Sequence, residues 1–305
     1  MSRARQDPLF AEHPAQQVRL PSGREFPMPL HIYNCDMTIV SGRVDLEVLR
    51  ELLAGQNVLP AVLEAANGAR YGVAQVWLNE YKDASIGPYM ELMVSFCVGE
   101  DTSRTYPEVN WLSPLAAFAD PRGMVLVNWL FLDKDNAISM GREVWGFPKV
   151  PADLTFQRTP LSATETRLVH DTVLGEQSLV HAEFTLRRGL RNTLATVRAM
   201  FPGMGASTTL RLLTRRYPSA LAITPTRLKQ VRAPIRYRGW VDVFPWGPGD
   251  RLEWGSGSDC ADTLRRLRFE PTVVQRMPDV RFVMLTDDPR VMAPLDEPVK
   301  AASGE

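Results

Sequence analysis

Lys149 closes the segment Gly141-Arg142-Glu143-Val144-Trp145-Gly146-Phe147-Pro148-Lys149, in which a single amine follows aromatic and small residues directly behind a proline. An amine so placed suggests Schiff-base chemistry, because it attacks a carbonyl only when neutral. A free lysine, with a pKa of about 10.4, is neutral in only about one molecule in 2,500 at pH 7. Apolar walls raise that fraction by penalising the ammonium, and Trp145, Phe147 and Val150 are candidates for such walls. A lone lysine is far more often a solvated surface residue, so the pattern around it has to carry the reading.

Other residues carry signals of differing strength. Glu91 begins an otherwise apolar stretch, where a carboxylate can serve as general acid or base; the alternative is an exposed strand end. Arg142 and Glu143 are adjacent charges at a helix end, where capping or pairing is the leading reading. His31, His170 and His181 have no metal-ligand spacing, and the last two read as strand-face residues. Gly203-x-Gly205 and Gly255-x-Gly257 lack the rest of a nucleotide fingerprint and read as turns. Arg211, Arg215 and Arg216 read as a solvated helix face before an anion site.

The elements that must position these groups follow from periodicity. Met124 to Leu132 is an almost continuously apolar run between Pro121-Arg122-Gly123 and Asp133-Lys134-Asp135, which predicts a buried strand. Asp133 or Asp135 is then placed to cap a short helix to Glu143. Pro148 ends it, and Lys149 opens an extended segment to Phe156. Upstream, Tyr71 to Leu78 and Glu91 to Val98 alternate with a period of two, with Glu91 on the face of Met93, Ser95 and Cys97. Thr164 to His170 and Leu179 to Leu186 predict an antiparallel pair across Gly175-Glu176. Leu46, Leu49, Leu52, Leu53, Val58 and Leu63 predict one or two helices within Asp45 to Glu64, interrupted near Gly55. Gly189 to Arg216 is helical in composition with a break at Pro202-Gly203-Met204-Gly205, and strands are expected around 219–223, 236–244, 268–274 and 280–285. Strands outnumber helices without regular alternation, which predicts an α+β fold with a largely antiparallel sheet or barrel-like core and flanking helices.

Composition narrows the class. The chain has 305 residues, 45% apolar and 23% charged, and 35 basic against 35 acidic side chains. That balance gives no electrostatic footprint for nucleic acid or an anionic membrane, and favours a small neutral or anionic ligand. Cys35, Cys97 and Cys260 form neither a disulfide framework nor a zinc pattern, which suits a reducing, cytoplasmic setting. Met1 to Arg19 lacks the apolar core of a secretory signal, and no apolar run reaches the roughly 18 residues of a membrane span. Residues 1–20 are expected as a poorly ordered tail, 21–293 as one domain and 294–305 as a second tail.

Order and spacing add a resemblance. A buried strand, an acidic turn, a helix ending in Gly-Arg-Glu and then aromatic-Pro-Lys resembles the lysine-bearing segment of the acetoacetate decarboxylase family. Asp83-Ala84-Ser85-Ile86-Gly87-Pro88-Tyr89-Met90-Glu91 resembles the family segment whose Gly-x-Tyr-x-Glu unit delivers an acid to the same pocket. The likeness covers roughly residues 70 to 190 well and the flanks in outline. It implies an acetoacetate decarboxylase-like fold, Lys149 as Schiff-base nucleophile and Glu91 as pocket carboxylate, with Tyr89, Arg142, Trp145 and Phe147 near the substrate. It also implies assembly as a homo-oligomer. No metal or organic cofactor is called for, because a protonated imine is itself the electron sink. The sequence departs from the family at Val150, where the decarboxylase has a second lysine. In an extended segment adjacent side chains face opposite ways, so desolvation would supply most of the pKa shift. Arg24 and Arg43 are candidates for the family's carboxylate-binding arginine, and Gln75 or Trp77 lies near the position of its other pocket acid.

The activity this implies is that of a carbon–carbon lyase on a keto acid, with decarboxylation of a β-keto acid first. An aldolase-dehydratase joining a 2-oxo acid to an aldehyde through the same lysine is the alternative. A non-catalytic small-molecule-binding protein of the same fold is the second alternative.

Overall fold

In the computed structural model, which describes residues 3–56, 58–99, 103–120, 123–187, 190–191, 220–223, 231–238 and 241–286, the strand Leu30–Asp45 has two long antiparallel neighbours. Arg70–Ala84 lies on one side and Glu270–Met284 on the other. From Arg70–Ala84 the pairing continues to Tyr89–Gly99 and then to Met124–Leu132. From Glu270–Met284 it continues through Val231–Arg238 to Ala220–Ile223, which lies parallel to Val125–Val127 of that same Met124–Leu132 strand. The pairing thus returns to its start, and the seven strands form a closed circuit in which only the last pair is parallel. Closure leaves the long strands no open edge. The α+β, largely antiparallel and barrel-like expectation agrees with this.

Both faces of the ring are covered. Ile39, Trp77, Met93, Leu130 and Val273 pack in one core inside it, while Val40, Val76, Leu92, Val94 and Val274 point outward into a second. The outer core is closed by a second sheet ordered Asp153–Pro160, Glu165–Leu174, Gln177–Arg187 and Arg251–Trp254, and by the helix Asp259–Arg266. Burial on two faces is why Met124–Leu132 reads as a continuous apolar run rather than an alternating one. The expected antiparallel pair across Gly175-Glu176 is present as Glu165–Leu174 and Gln177–Arg187.

Several expectations need correction. The first twenty residues are not a bare tail: Pro8–Glu12 is a helix and Gln16–Arg19 a strand paired with Glu25–Met28, and Leu9, Phe10 and Val18 are buried. Of the one or two helices expected within Asp45 to Glu64, one is present among the described residues, Leu46–Leu52, capped by the Asp45 carboxylate. Beyond it Leu59–Pro60 and Val62–Ala65 are strands, since Leu63 is needed in a sheet edge between Arg70–Ala84 and Thr105–Glu108. The separate strands expected at 268–274 and 280–285 are one bulged strand, Glu270–Met284. Apart from Leu190–Arg191, the helical reading of Gly189 to Arg216 lies outside the described residues, as do the C-terminal tail and Arg211, Arg215 and Arg216. No helix among the described residues is long and apolar enough to cross a membrane.

Candidate active site

Met124–Leu132 has two partners along its remaining edge. Ala220–Ile223 takes the first half, and Lys149–Pro151 runs parallel to Leu130–Leu132 in the second, with Lys149 opposite Leu130. Leu130 belongs to the inner core, so Lys149 enters the ring through its wall. Val150 points the other way and packs on the outer core.

The link from Leu132 to Lys149 fixes that entry. Contrary to expectation, neither Asp133 nor Asp135 caps the helix that follows; Asp133 Oδ1 instead accepts a hydrogen bond of 2.8 Å from the Met90 amide and so ties the end of Met124–Leu132 to the residue before Glu91. The helix Asp135–Met140 starts at Lys134 without a side-chain cap and continues as a π-helical turn, Gly141–Trp145. Such turns are rare and are often found at functional sites. Gly146 ends it in the left-handed region at φ 72°, a conformation glycine adopts without steric cost. The chain then folds back so that the Lys149 side chain lies over Gly141, where a β-carbon would stand 2.2 Å from Lys149 Cε.

Lys149 is 7% exposed. Its Nζ donates a 3.0 Å hydrogen bond to the Ala137 carbonyl and stands 3.8 Å from Glu91 Oε2. The rings of Phe147 and Tyr89 lie 5.7 and 6.0 Å from it. Burial lowers the lysine's pKa, and the Glu91 charge works against that fall. This is the direction a Schiff-base nucleophile requires, obtained without a neighbouring cation at position 150.

Glu91 divides its two oxygens. Oε1 accepts from the Tyr81 hydroxyl at 2.8 Å and from Asn79 Nδ2 at 3.1 Å, leaving Oε2 toward the amine. Tyr81 stacks on Tyr89 with ring centroids 4.0 Å apart. Burial, reinforced by the Glu91 charge, pushes both phenols well above their ordinary pKa, so they stay protonated. The same causes keep the nearby Cys35 a thiol.

The other expected residues fall into two groups. Tyr89 and Phe147 flank the amine. Arg142 instead spans back to the lysine's own main chain, its Nε and Nη2 both donating to the Lys149 carbonyl at 2.8 and 2.5 Å. Trp145 is buried, with its indole donating to the Leu285 carbonyl at 3.0 Å, and Glu143 accepts from the Ser22 amide at 3.0 Å. Arg24 donates to Ser139 Oγ at 2.5 Å and lines an open cleft of about 490 Å³ with Asn136, Ser85 and Ile86, beside the helix that supplies the Ala137 carbonyl. Arg43 is held by Glu108 and Glu270 and lies opposite Val73, three alternate positions along the strand from Asn79. His170 and His181 are on the second sheet, bonded to Thr172 and Asp171.

Asn79, Tyr81, Gly141 and the Ala137 carbonyl escaped the sequence reading. Asn79, rather than Gln75 or Trp77, is the residue paired across from Glu91. Gln75 and Trp77 bond to Ser41 and Ser95 deeper in the ring. The signal was present: a hairpin turning at Gly87-Pro88 with Tyr81 opposite Tyr89 places Asn79 opposite Glu91.

A family model described as acetoacetate decarboxylase matches residues 14–219. Among solved structures, acetoacetate decarboxylase from Legionella pneumophila is similar at 15% identity over 85% of each chain, with a TM-score of 0.50. The enduracididine biosynthesis enzyme MppR complexed with pyruvate is similar at 15% identity over 87% of this chain and 92% of that one, with a TM-score of 0.53. An acetoacetate decarboxylase-like enzyme from Sphingomonas wittichii RW1 gives 15% identity over 87% and 95%, also with a TM-score of 0.53. No curated protein matches the chain.

Proposed function

The chain belongs to the acetoacetate decarboxylase family, and from that premise we propose that it is a Schiff-base-forming lyase that acts on a keto acid through Lys149. One observation carries the reading. A buried amine whose pKa is lowered by desolvation faces a single carboxylate oxygen at 3.8 Å, while that carboxylate's other oxygen is fixed by Tyr81 and Asn79.

Neutral Lys149 attacks the substrate ketone, and the Ala137 carbonyl orients its lone pair by accepting one N–H. Glu91 transfers protons as the carbinolamine loses water, which leaves an iminium. For a β-keto acid the bond to the carboxylate carbon then breaks, carbon dioxide leaves, and the electron pair passes to the iminium as an enamine. Protonation of the enamine carbon and hydrolysis release the ketone and restore the amine. Tyr89 and Phe147 keep the amine out of water, and Arg142 holds the lysine's main chain in register. Of the two candidate arginines, Arg24, at the cleft beside Asn136, is the one we assign to the substrate carboxylate.

A second reading uses the same imine to join a 2-oxo acid to an aldehyde. Two observations favour keeping it. Position 150 carries an outward-facing valine rather than a second cation, and the fold is shared with MppR, which has been solved with the condensation product of pyruvate and imidazole 4-carboxaldehyde. The deciding experiment measures carbon dioxide release from acetoacetate beside condensation of pyruvate with an aldehyde. Release alone supports decarboxylation, condensation alone supports the second reading, and the absence of both activities leaves the keto substrate open; the absence of any ketone adduct on Lys149 sinks both readings.

A further inference from the structure

Resting on the imine reading above, the substrate class is further narrowed by what stands across the ring from Lys149. Strand register arranges the inward side chains in levels. Gln275, Ile39, Trp77, Met93 and Leu130 are successive cross-strand partners, and Lys149 pairs with Leu130 at the same level. One step further in, the level of Ser41, Gln75 and Ser95 is sealed, each of these being 0% exposed. At and just above the lysine's level the inward side chains retain contact with space: Met37 is 9%, Met277 8%, Lys149 7% and Gln275 4% exposed. The inward side chains at and just above the lysine's level are therefore less tightly enclosed than those one step further in.

Met37, Met277, Met93 and Trp77 make this part of the inner core largely apolar, so a purely aliphatic ligand arm would need no amide. Yet Gln275 Oε1 is buried without a hydrogen-bond partner among the described residues. Asn79 repeats the pattern. Glu91, a carboxylate, can only accept, so Asn79 must turn its NH2 toward it, and Asn79 Oδ1 is left without a partner among the described residues. Gln275 Oε1 at the lysine's level and Asn79 Oδ1 beside Glu91 thus both lack a donor among the described residues, as does Gln75 Oε1 one step further in. Buried polar groups are otherwise almost always paired in native proteins.

We infer that Gln275 is a specificity-determining residue, and that the keto acid this chain accepts carries a hydrogen-bond donor, a hydroxyl or an N–H, on the arm beyond its carbonyl. The donor of the bound substrate completes the amide's hydrogen bonding, and an aliphatic substrate of the same length leaves it unmet.

The test compares 2-oxobutanoate with 4-hydroxy-2-oxobutanoate, which differ by one hydroxyl, by borohydride trapping on Lys149 over a range of concentrations. The wild-type chain should be half-trapped by the hydroxylated acid at about a tenfold lower concentration, the size of one net hydrogen bond. Gln275→Met, similar in volume and apolar, should bring the two acids within about twofold of each other. Equal trapping in the wild type, or a preference that survives Gln275→Met, overturns the inference and leaves the imine reading standing. If neither acid marks Lys149, the inference falls, and the imine reading then stands or falls separately on trapping with acetoacetate.

Discussion

The side chain of Lys149 lies directly against the backbone of Gly141, eight positions earlier in the chain. A β-carbon at 141 would stand 2.2 Å from Lys149 Cε and 2.7 Å from Nζ, although the glycine's own φ of −65° suits any residue. The glycine is thus required by the lysine rather than by the helix, and the π-helical turn Gly141–Trp145 creates the close approach.

Gly141→Ala should therefore separate folding from chemistry. Alanine is the better helix former by about 1 kcal/mol, so the melting temperature should change little. Displacing a nucleophile by about 1 Å can cost about a hundredfold in rate, and kcat should fall by that order. Measuring both in one preparation checks it; full activity in the alanine variant would show that the lysine does not work from this position.

Glu91→Gln has an effect whose sign can be worked out. The Glu91 charge raises the Lys149 pKa against the larger lowering effect of burial. Its removal should lower that pKa further, so the acid limb of the pH–rate profile moves to lower pH. The maximum rate should drop by about 10²–10⁴-fold with the loss of a proton-transfer group. A limb that moves to higher pH would contradict the assignment.

Arg142 grips the Lys149 carbonyl with two N–H groups and so acts on the lysine's position. Arg142→Ala should lower kcat about tenfold or more with little change in KM. Arg142→Lys should recover only part of this, because an ammonium does not reproduce the planar fork. Steady-state kinetics on both variants decide it, and a change confined to KM would assign Arg142 to substrate binding.

Arg24→Ala should raise KM for keto acids by about ten- to a hundredfold, the size of a charge-assisted hydrogen bond, without altering borohydride trapping of a neutral ketone. Equal losses with both ligand types would remove Arg24 from carboxylate recognition.

How far these features could be read from sequence follows from the range of the interactions involved. Lys149, Glu91, Tyr89 and Phe147 sit in two local segments whose glycines, proline and apolar runs are their own punctuation, and the structure brings these four together. The cap expected from Asp133 or Asp135 is absent because Asp133's partner, the Met90 amide, is far along the chain, and only a local cap is visible in sequence as a use for such a carboxylate. The N-terminal stretch was misread because its helix and strand are too short to show a period; Leu9 and Phe10 are buried against Val283 near the other end of the chain. Ring closure depends on Leu30–Asp45 pairing with Glu270–Met284, and no local pattern encodes that partnership. Gln275 is hidden for the same reason: between Val274 and Arg276 it is one of several polar residues in its strand, and only the register places it at the lysine's level.

The most direct measurement of the central claim is covalent trapping. The wild-type chain and Lys149→Met are incubated with acetoacetate or pyruvate, reduced with borohydride and mapped by peptide mass spectrometry. The account predicts one reduced adduct, located on Lys149 and absent from the variant. An adduct on another lysine, or none with any ketone offered, would contradict it.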